Sequence, residues 1–455
     1  MACIWFIVPM NKMRCLSLFL VLVSFWGCQR EAIHPKKNLA FERVALYGGS
    51  DEDIAHAVIT TSDGGFAVLG NTKSADGDLG SKTTTVSDIV LMKFDVNGAL
   101  QWTKTYGGSD DDRGHDLIQL PDEGYAVIGY AMSADGDLTN NEGMHDNWVF
   151  RLNGQGELQW QKSFGFSGHD HAYHILATPD GGFLFNGFLD VTSSQGQGSS
   201  AKGKSVSARH GVGEFWVHKI DRNGHLQWRR YYGGTNNDRS YAAVIDPAGG
   251  YYIVGTSESD DVDITNARGS YDIWVVKIND QGDMLWEKSF GGSAFDAANA
   301  AVLKDNVLYI LGNSFSADHD VSSPLGQSDF WLLAIDHQGK LLRENTYGGS
   351  KFDLGRDVLL DHRNQLWLVG YGQSVDGDFL ANSGENDIQL LGLDHQLLPQ
   401  LSATLGGEGQ DLANALVEWQ NKILVVGSTE SRSGQFRNNQ GDKDIFVALW
   451  DLQIE

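Results

Sequence analysis

A chain of 455 residues with 34 Lys and Arg against 59 Asp and Glu carries a formal charge of −25. That field repels nucleic acid and anionic lipid surfaces and favours cations or basic partners, and no basic stripe interrupts it, so no nucleic-acid partner is expected. The three cysteines, Cys3, Cys15 and Cys28, all fall within the first 28 residues, so the remaining body has neither a disulfide nor a cysteine metal site.

Met10-Asn-Lys12-Met-Arg14 is a short positive segment ahead of mostly apolar residues from Cys15 to Gly27. This reads as a secretory signal over 1–27, too short to span a membrane, with Met10 and Met13 as alternative starts. Removing 1–27 takes away Lys12 and Arg14 only, which leaves 32 − 59 = −27. The sequence Phe25-Trp26-Gly27-Cys28 resembles a bacterial lipoprotein box. The resemblance implies lipidation of Cys28, and Gln29 implies sorting to the outer membrane, on its periplasmic or cell-surface side. The plainer alternative is a secreted protein with a chance cysteine. Residues 28–38, with Pro35-Lys-Lys, form a polar tether.

Leu39–Tyr47 reads as a strand, and a repeat follows it. Aromatic-Gly-Gly, four residues, Asp and a small residue two positions on recur seven times, with the Asp at 53, 112, 170, 238, 296, 353 and 411. The steps are 59, 58, 68, 58, 57 and 58 residues, and a fixed period of this kind is the signature of a repeat architecture. Each unit parses into four strands. The first follows the Asp and ends at a turn such as Ser62-Asp-Gly-Gly65. The second closes on Gly70, Gly129, Gly187, Gly255, Gly312, Gly370 or Gly427. A long polar loop leads to the third, which opens with an acid, as in Asp146 with Trp148. A turn such as Asp95-Val-Asn-Gly98 leads to the fourth, which carries Trp102, Trp160, Trp228 or Trp286.

Four antiparallel strands repeated radially make an all-β protein, a seven-bladed β-propeller over 39–455. An open solenoid would need polar caps at both ends. The termini decide otherwise: the seventh unit lacks a fourth strand and Leu39–Tyr47 is a fourth strand without a blade. Joining them closes the ring and removes the exposed edges. The pattern Gly-Gly-Ser-x-x-Asp … Asp-Gly-Gly-Phe/Tyr-x-x-x-Gly … Trp resembles the propeller repeat of bacterial secreted and outer-membrane lipoproteins. Asp95-x-Asn-Gly98-x-x-x-Trp102 is also similar to a motif of quinoprotein-like propellers, without its Thr.

In a propeller the 4–1 and 2–3 loops share one face, which here receives the long acidic segments. The recurrent Asp is expected to accept backbone N–H bonds at the 4–1 turn. Three residues after it stand His56, His115, Tyr173, Tyr241, Asn299, Arg356 and Asn414, a varied set in a fixed frame. They are expected to rim the channel mouth, as a ligand-contacting ring or as polar groups satisfied by neighbouring blades. The long loops open with Asp76 and Asp78, Asp135 and Asp137, Asp261 and Asp263, Asp318 and Asp320, and Asp376 and Asp378. Asp at i and i+2 opens a calcium loop, making calcium the candidate cofactor; the other marks of an EF-hand are missing, and Asx-turns explain the same residues. His169, His171 and His174, with His115 of the preceding blade, are candidate ligands of a zinc-class site, but strand alternation sends His171 and His174 to opposite faces.

No catalytic motif stands out. The expected function is that of a monomeric, envelope-anchored, non-catalytic binding or scaffold propeller, taking a protein or glycan ligand on its acidic face. The alternative is a glycoside hydrolase or polysaccharide lyase.

Overall fold

A computed structural model describes residues 37–79, 82, 84–193 and 211–452. The expected leader, Cys28, the tether up to residue 36 and the Gly/Ser-rich run 194–210 lie outside the described residues. The chain forms seven sheets in a closed ring, each a meander whose first strand is innermost. Blade 1 comprises Asp53–Thr60, Phe66–Thr72, Asp88–Phe94 and Leu100–Tyr106. In blade 7, Asp411–Trp419, Lys422–Thr429 and Asp444–Asp451 are completed by Ala40–Tyr47, which pairs antiparallel with Asp444–Asp451. The ring therefore closes as the termini required.

The second and third strands are buried along almost their whole length, because neighbouring blades cover both faces of each sheet. This explains their continuous apolar runs where a half-exposed sheet would alternate. The core lies between blades. Val68, Met92 and Phe94 of blade 1, for example, pack with Trp419, Leu424 and Ile445 of blade 7.

Two features extend the sequence reading. Lys37–Asn38, placed in the tether, pair in parallel with Leu401 and Ser402 on the outer edge of blade 6. The cause is adjacent: Leu39 is buried between blades 6 and 7, and its N–H donates to Ser402 O at 2.8 Å. On the face away from the long loops, Lys93, Lys219 and Lys277 in the third strands reach Asp63, Asp180 and Asp246 at the 1–2 turns, at 2.8, 2.7 and 2.8 Å. Turns that look shallow in sequence thus anchor buried lysines.

Candidate functional site: the loop face and the channel mouth

The loop face is built on one repeated hydrogen-bond unit. Each recurrent Asp is fully buried and accepts a backbone N–H of the preceding turn: Gly49 to Asp53 at 2.9 Å, Gly108 to Asp112 at 2.8 Å, Phe166 to Asp170 at 2.7 Å and Gly234 to Asp238 at 2.8 Å. Gly292, Gly349 and Gly407 donate in the same way to Asp296, Asp353 and Asp411. A serine hydroxyl from the 2–3 loop usually joins them, as Ser74 does on Asp53 at 2.8 Å. Burial pushes the carboxyls of Asp53, Asp112 and Asp411 up to about 6 and that of Asp170 up to about 7, against the hydrogen bonds that favour their charged forms.

The Asp-x-Asp pairs complete this turn. Asp76, Asp135, Asp261, Asp318 and Asp376 accept the N–H of Ser50, Ser109, Thr235, Ser293 and Ser350 at 2.7–2.9 Å. Asp137, Asp263, Asp320 and Asp378 accept the N–H of Gly107, Gly233, Gly291 and Gly348, and Asp78 the amide of Gln440. These bonds cross to another loop, unlike the Asx-turns expected within the loop itself. In blade 7, Ser433 takes the same place and accepts the N–H of Glu408 at 3.0 Å. A position that serves equally as Ser is a turn cap. Calcium requires six to eight converging oxygens, and among the described residues no three carboxylates gather at these loops.

Beyond the Asp, every first strand carries a β-bulge, between Ala55 and Ala57 in blade 1 and at the corresponding place in the other six. The skipped residues are His56, His115, Tyr173, Tyr241, Asn299, Arg356 and Asn414. A bulge leaves one residue unpaired and re-aims its side chain. All seven line a single cavity of about 470 Å³ on the ring axis, together with the residues that follow them. Four of the seven form an aromatic arc, with centroid distances of 5.3 Å for His56–His115, 5.1 Å for His115–Tyr173 and 5.1 Å for Tyr173–Tyr241.

The ring is architectural in part. Asn299 and Asn414 donate to Gly355 O and Ala55 O of neighbouring blades at 2.7 and 2.8 Å, and His56 Nε2 lies 2.8 Å from Asn71 Nδ2. His115 Nε2 and Arg356 Nε, by contrast, are buried with no hydrogen-bond partner among the described residues. Burial and nearby cations hold the His56 imidazole down at about 4, so it is neutral at physiological pH.

The next position also lines the cavity; it is Ala in four blades and Asp116, His174 and Asp357 in the others, of which sequence reasoning singled out His174 alone, and as a metal ligand. His174 Nδ1 lies 2.7 Å from Asp116 Oδ2, and its Nε2 lies 3.1 Å from Ala243 O. Burial opposes charge on His174, but Asp116 outweighs it and the pKa is raised; burial lifts Asp357 to about 6. The bulge turns His174 into the cavity while His171 faces the loops, away from it.

Sequence reasoning also missed an aromatic row on the loop face of blades 4–6: Tyr271–Phe295, Phe295–Phe315 and Phe315–Phe352, at 5.1, 5.7 and 6.1 Å. Phe295, Phe315 and Phe352 are each about 40% exposed (40%, 38% and 40%), which is unusual for adjacent large apolar rings. A second cavity of about 370 Å³ lies beside the row, lined by Asn237, Arg239, Tyr271 and Phe295 and sharing Tyr241 and Asn299 with the axial one.

No protein-family model matches the chain, and no curated protein sequence does. Among solved structures, the chain resembles the Pan2 WD40 domain of Neurospora crassa at a TM-score of 0.51 with 10% identity, over 93% of this chain and 99% of that one. BamB of Moraxella catarrhalis matches at a TM-score of 0.40 with 12% identity, over 91% and 99% of the two chains. Drosophila Plexin A in complex with Semaphorin 1b matches at 0.46 with 9% identity, over 92% and 88%. At these identities the first likeness establishes the propeller fold alone, and the other two carry no argument.

Proposed function

We propose that this propeller is an envelope-anchored, non-catalytic binding module whose ligand, a protein or a glycan, seats on the acidic loop face over the channel mouth. The observation that carries this reading is the junction of two cavities at Tyr241 and Asn299, with three neighbouring Phe side chains standing exposed beside them. Exposed aromatic rings beside converging polar groups suit a bound surface or sugar face. The varied ring sits inside a uniform frame, as grafted sites do. The anchor rests on Gly27-Cys28 in the sequence.

The test is a glycan array and an envelope-protein overlay probed with the full chain, alongside a screen for polysaccharide cleavage. Binding should weaken at least tenfold in Phe295→Ala with Phe352→Ala, and in Tyr173→Ala with Tyr241→Ala, while Tm stays within a few degrees. Asn97→Ala, exposed on the opposite face, should bind normally. Release of cleaved product from a polysaccharide would replace this reading with the enzyme one. Cys28→Ala should abolish labelling by a fatty-acid probe, and unchanged labelling would refute the anchor.

A further inference from the structure

Three imidazoles from two blades meet on the loop face. His145 precedes the third strand of blade 2, Asp146–Leu152, while His169 and His171 flank Asp170 at the entry to blade 3. A parallel bridge between residues 145 and 169, with the Asp170 N–H donating to His145 O at 2.6 Å, fixes the two segments side by side. His145 Nδ1 lies 2.7 Å from His169 Nδ1 and 3.3 Å from His171 Nε2, and one nitrogen from each ring falls within 4.8 Å of the others. We infer that His145, His169 and His171 form a binding site for a divalent transition ion of the zinc class, with a fourth coordination position open on the loop face.

The spacing suits that chemistry. With zinc–nitrogen bonds of about 2.0–2.1 Å, ligand nitrogens at tetrahedral corners stand about 3.3 Å apart, so the His145–His171 pair already fits, the His145–His169 pair has to open slightly and the His169–His171 pair, within 4.8 Å, has to close. Imidazole donors select zinc, copper, nickel or iron over the hard ions that a carboxylate loop would take. The far side of each of two rings also fits. Ligating histidines usually donate their second N–H to an oxygen, which fixes tautomer and orientation. His171 Nδ1 lies 3.2 Å from the Tyr173 hydroxyl, which leaves the Nε2 lone pair directed at the site. His145 Nε2, buried and without a hydrogen bond among the described residues, lies 3.9 Å from Asp111 Oδ2, a carboxylate otherwise bonded to Arg113 Nε at 2.8 Å. Tyr130 stacks on His171 with centroids 3.9 Å apart and limits its rotation. Through Tyr173, which lines the axial cavity, the site adjoins the channel mouth.

The experiment is titration of the chelator-stripped full chain with Zn2+ by calorimetry, and with Co2+ by visible absorption. One equivalent should bind, with the intense bands of four-coordinate cobalt. His145→Gln and His169→Gln should each lose more than the roughly 10–100-fold typical of removing an outer-shell partner. Asp111→Asn should lose about tenfold by the same rule, and His174→Gln should bind normally. X-ray absorption of the zinc-loaded wild type, which does not depend on any variant folding, should show three imidazoles. No binding by the wild type, affinity unchanged in His145→Gln, or fewer than three imidazoles in the spectrum would each overturn the site.

Discussion

His218 shows how a side chain can sit in the frame without belonging to it. It is fully buried in the third strand of blade 3, Gly213–Ile220, and neither ring nitrogen has a hydrogen-bond partner among the described residues. Its ring stacks on Phe185 with centroids 4.5 Å apart and meets Trp216 at 4.2 Å. The equivalent residue in the other blades is apolar: Met92, Phe150, Val276, Leu333, Leu391 and Ala448. An orphaned buried polar group costs about 1–3 kcal/mol, whereas an apolar group of the same shape does not carry that penalty. His218→Phe should therefore stabilise the fold by an amount in that range at pH 8. Burial pushes the His218 pKa well below its usual value. Below pH 6.5 the unfolded chain takes up a proton there that the folded chain refuses, so wild-type stability drains away as pH falls. The advantage of the variant should widen by about 1.4 kcal/mol per pH unit below 6.5. Urea unfolding at pH 8 and pH 5 measures both effects, and an equal or absent gain at the two pH values would sink the argument.

At the scale of the strand, the bulge is what converts a repeat into a site. It brings the carbonyl one residue past each recurrent Asp close to the second strand, and the recurrent Gly is what makes room. A Cβ at Gly129 would lie 1.9 Å from Arg113 O, and one at Gly70 2.1 Å from Ile54 O. Backbone surrounds that position, so Gly129→Ala has to flatten the bulge and should cost about 3 kcal/mol or more, the upper end of overpacking. Gly181→Ala, in open space at φ +81°, should cost only the roughly 1–2 kcal/mol of a left-handed Cβ. If chemical unfolding ranks the two the other way, the close approach does not govern this position. The seven strand quartets, the buried Asp caps and the channel ring were legible in the sequence because each occurs seven times over. The bulge was not, since its trace is only a small residue paired with a distant Gly. His145 escaped because the histidine taken from the preceding blade was His115 of its first strand, whereas the bridge to His169 is made by the entry to that blade's third strand. The available clue was register: His145 and His169 each stand one residue before a recurrent acid, and such pairs meet across blades.

Across the whole molecule, these same inter-blade bridges run round the ring. The N–H groups of Asp53, Asp112, Asp296, Asp353 and Asp411 donate to the carbonyls of Lys443, Ser87, Tyr271, Ser328 and Asn386 at 2.8–2.9 Å. Closure makes the stack circular, so the joint between the last blade and the first bears on every other contact. That joint has two parts. Blades 7 and 1 touch through Trp419 Nε1 to Gly64 O at 2.8 Å and Lys443 to Glu52 at 3.1 Å, both independent of the N-terminal strand. Ala40–Tyr47 supplies the other part: it covers the edge of Asp444–Asp451 and contributes the half-buried Val44, Leu46 and Tyr47 to the cores on either side. Burying such side chains in full stabilises by about 1.5–3 kcal/mol each, and half-burial plus the lost ladder bonds puts the strand on the order of 5 kcal/mol. The parallel pair Lys37–Asn38 is exposed and only two residues long, so a chain beginning at Leu39 should unfold within about 1 kcal/mol of one that retains the pair. A chain beginning at Gly48 should lose the full amount and expose an unpaired apolar edge, which in a sheet protein promotes association. A synthetic Leu39–Tyr47 peptide added in trans should restore the unfolding midpoint in a concentration-dependent way, because binding to the folded ring stabilises by mass action. Equal midpoints for the two truncated chains, or no response to the peptide, would mean that the blade 7–blade 1 contacts alone hold the ring shut.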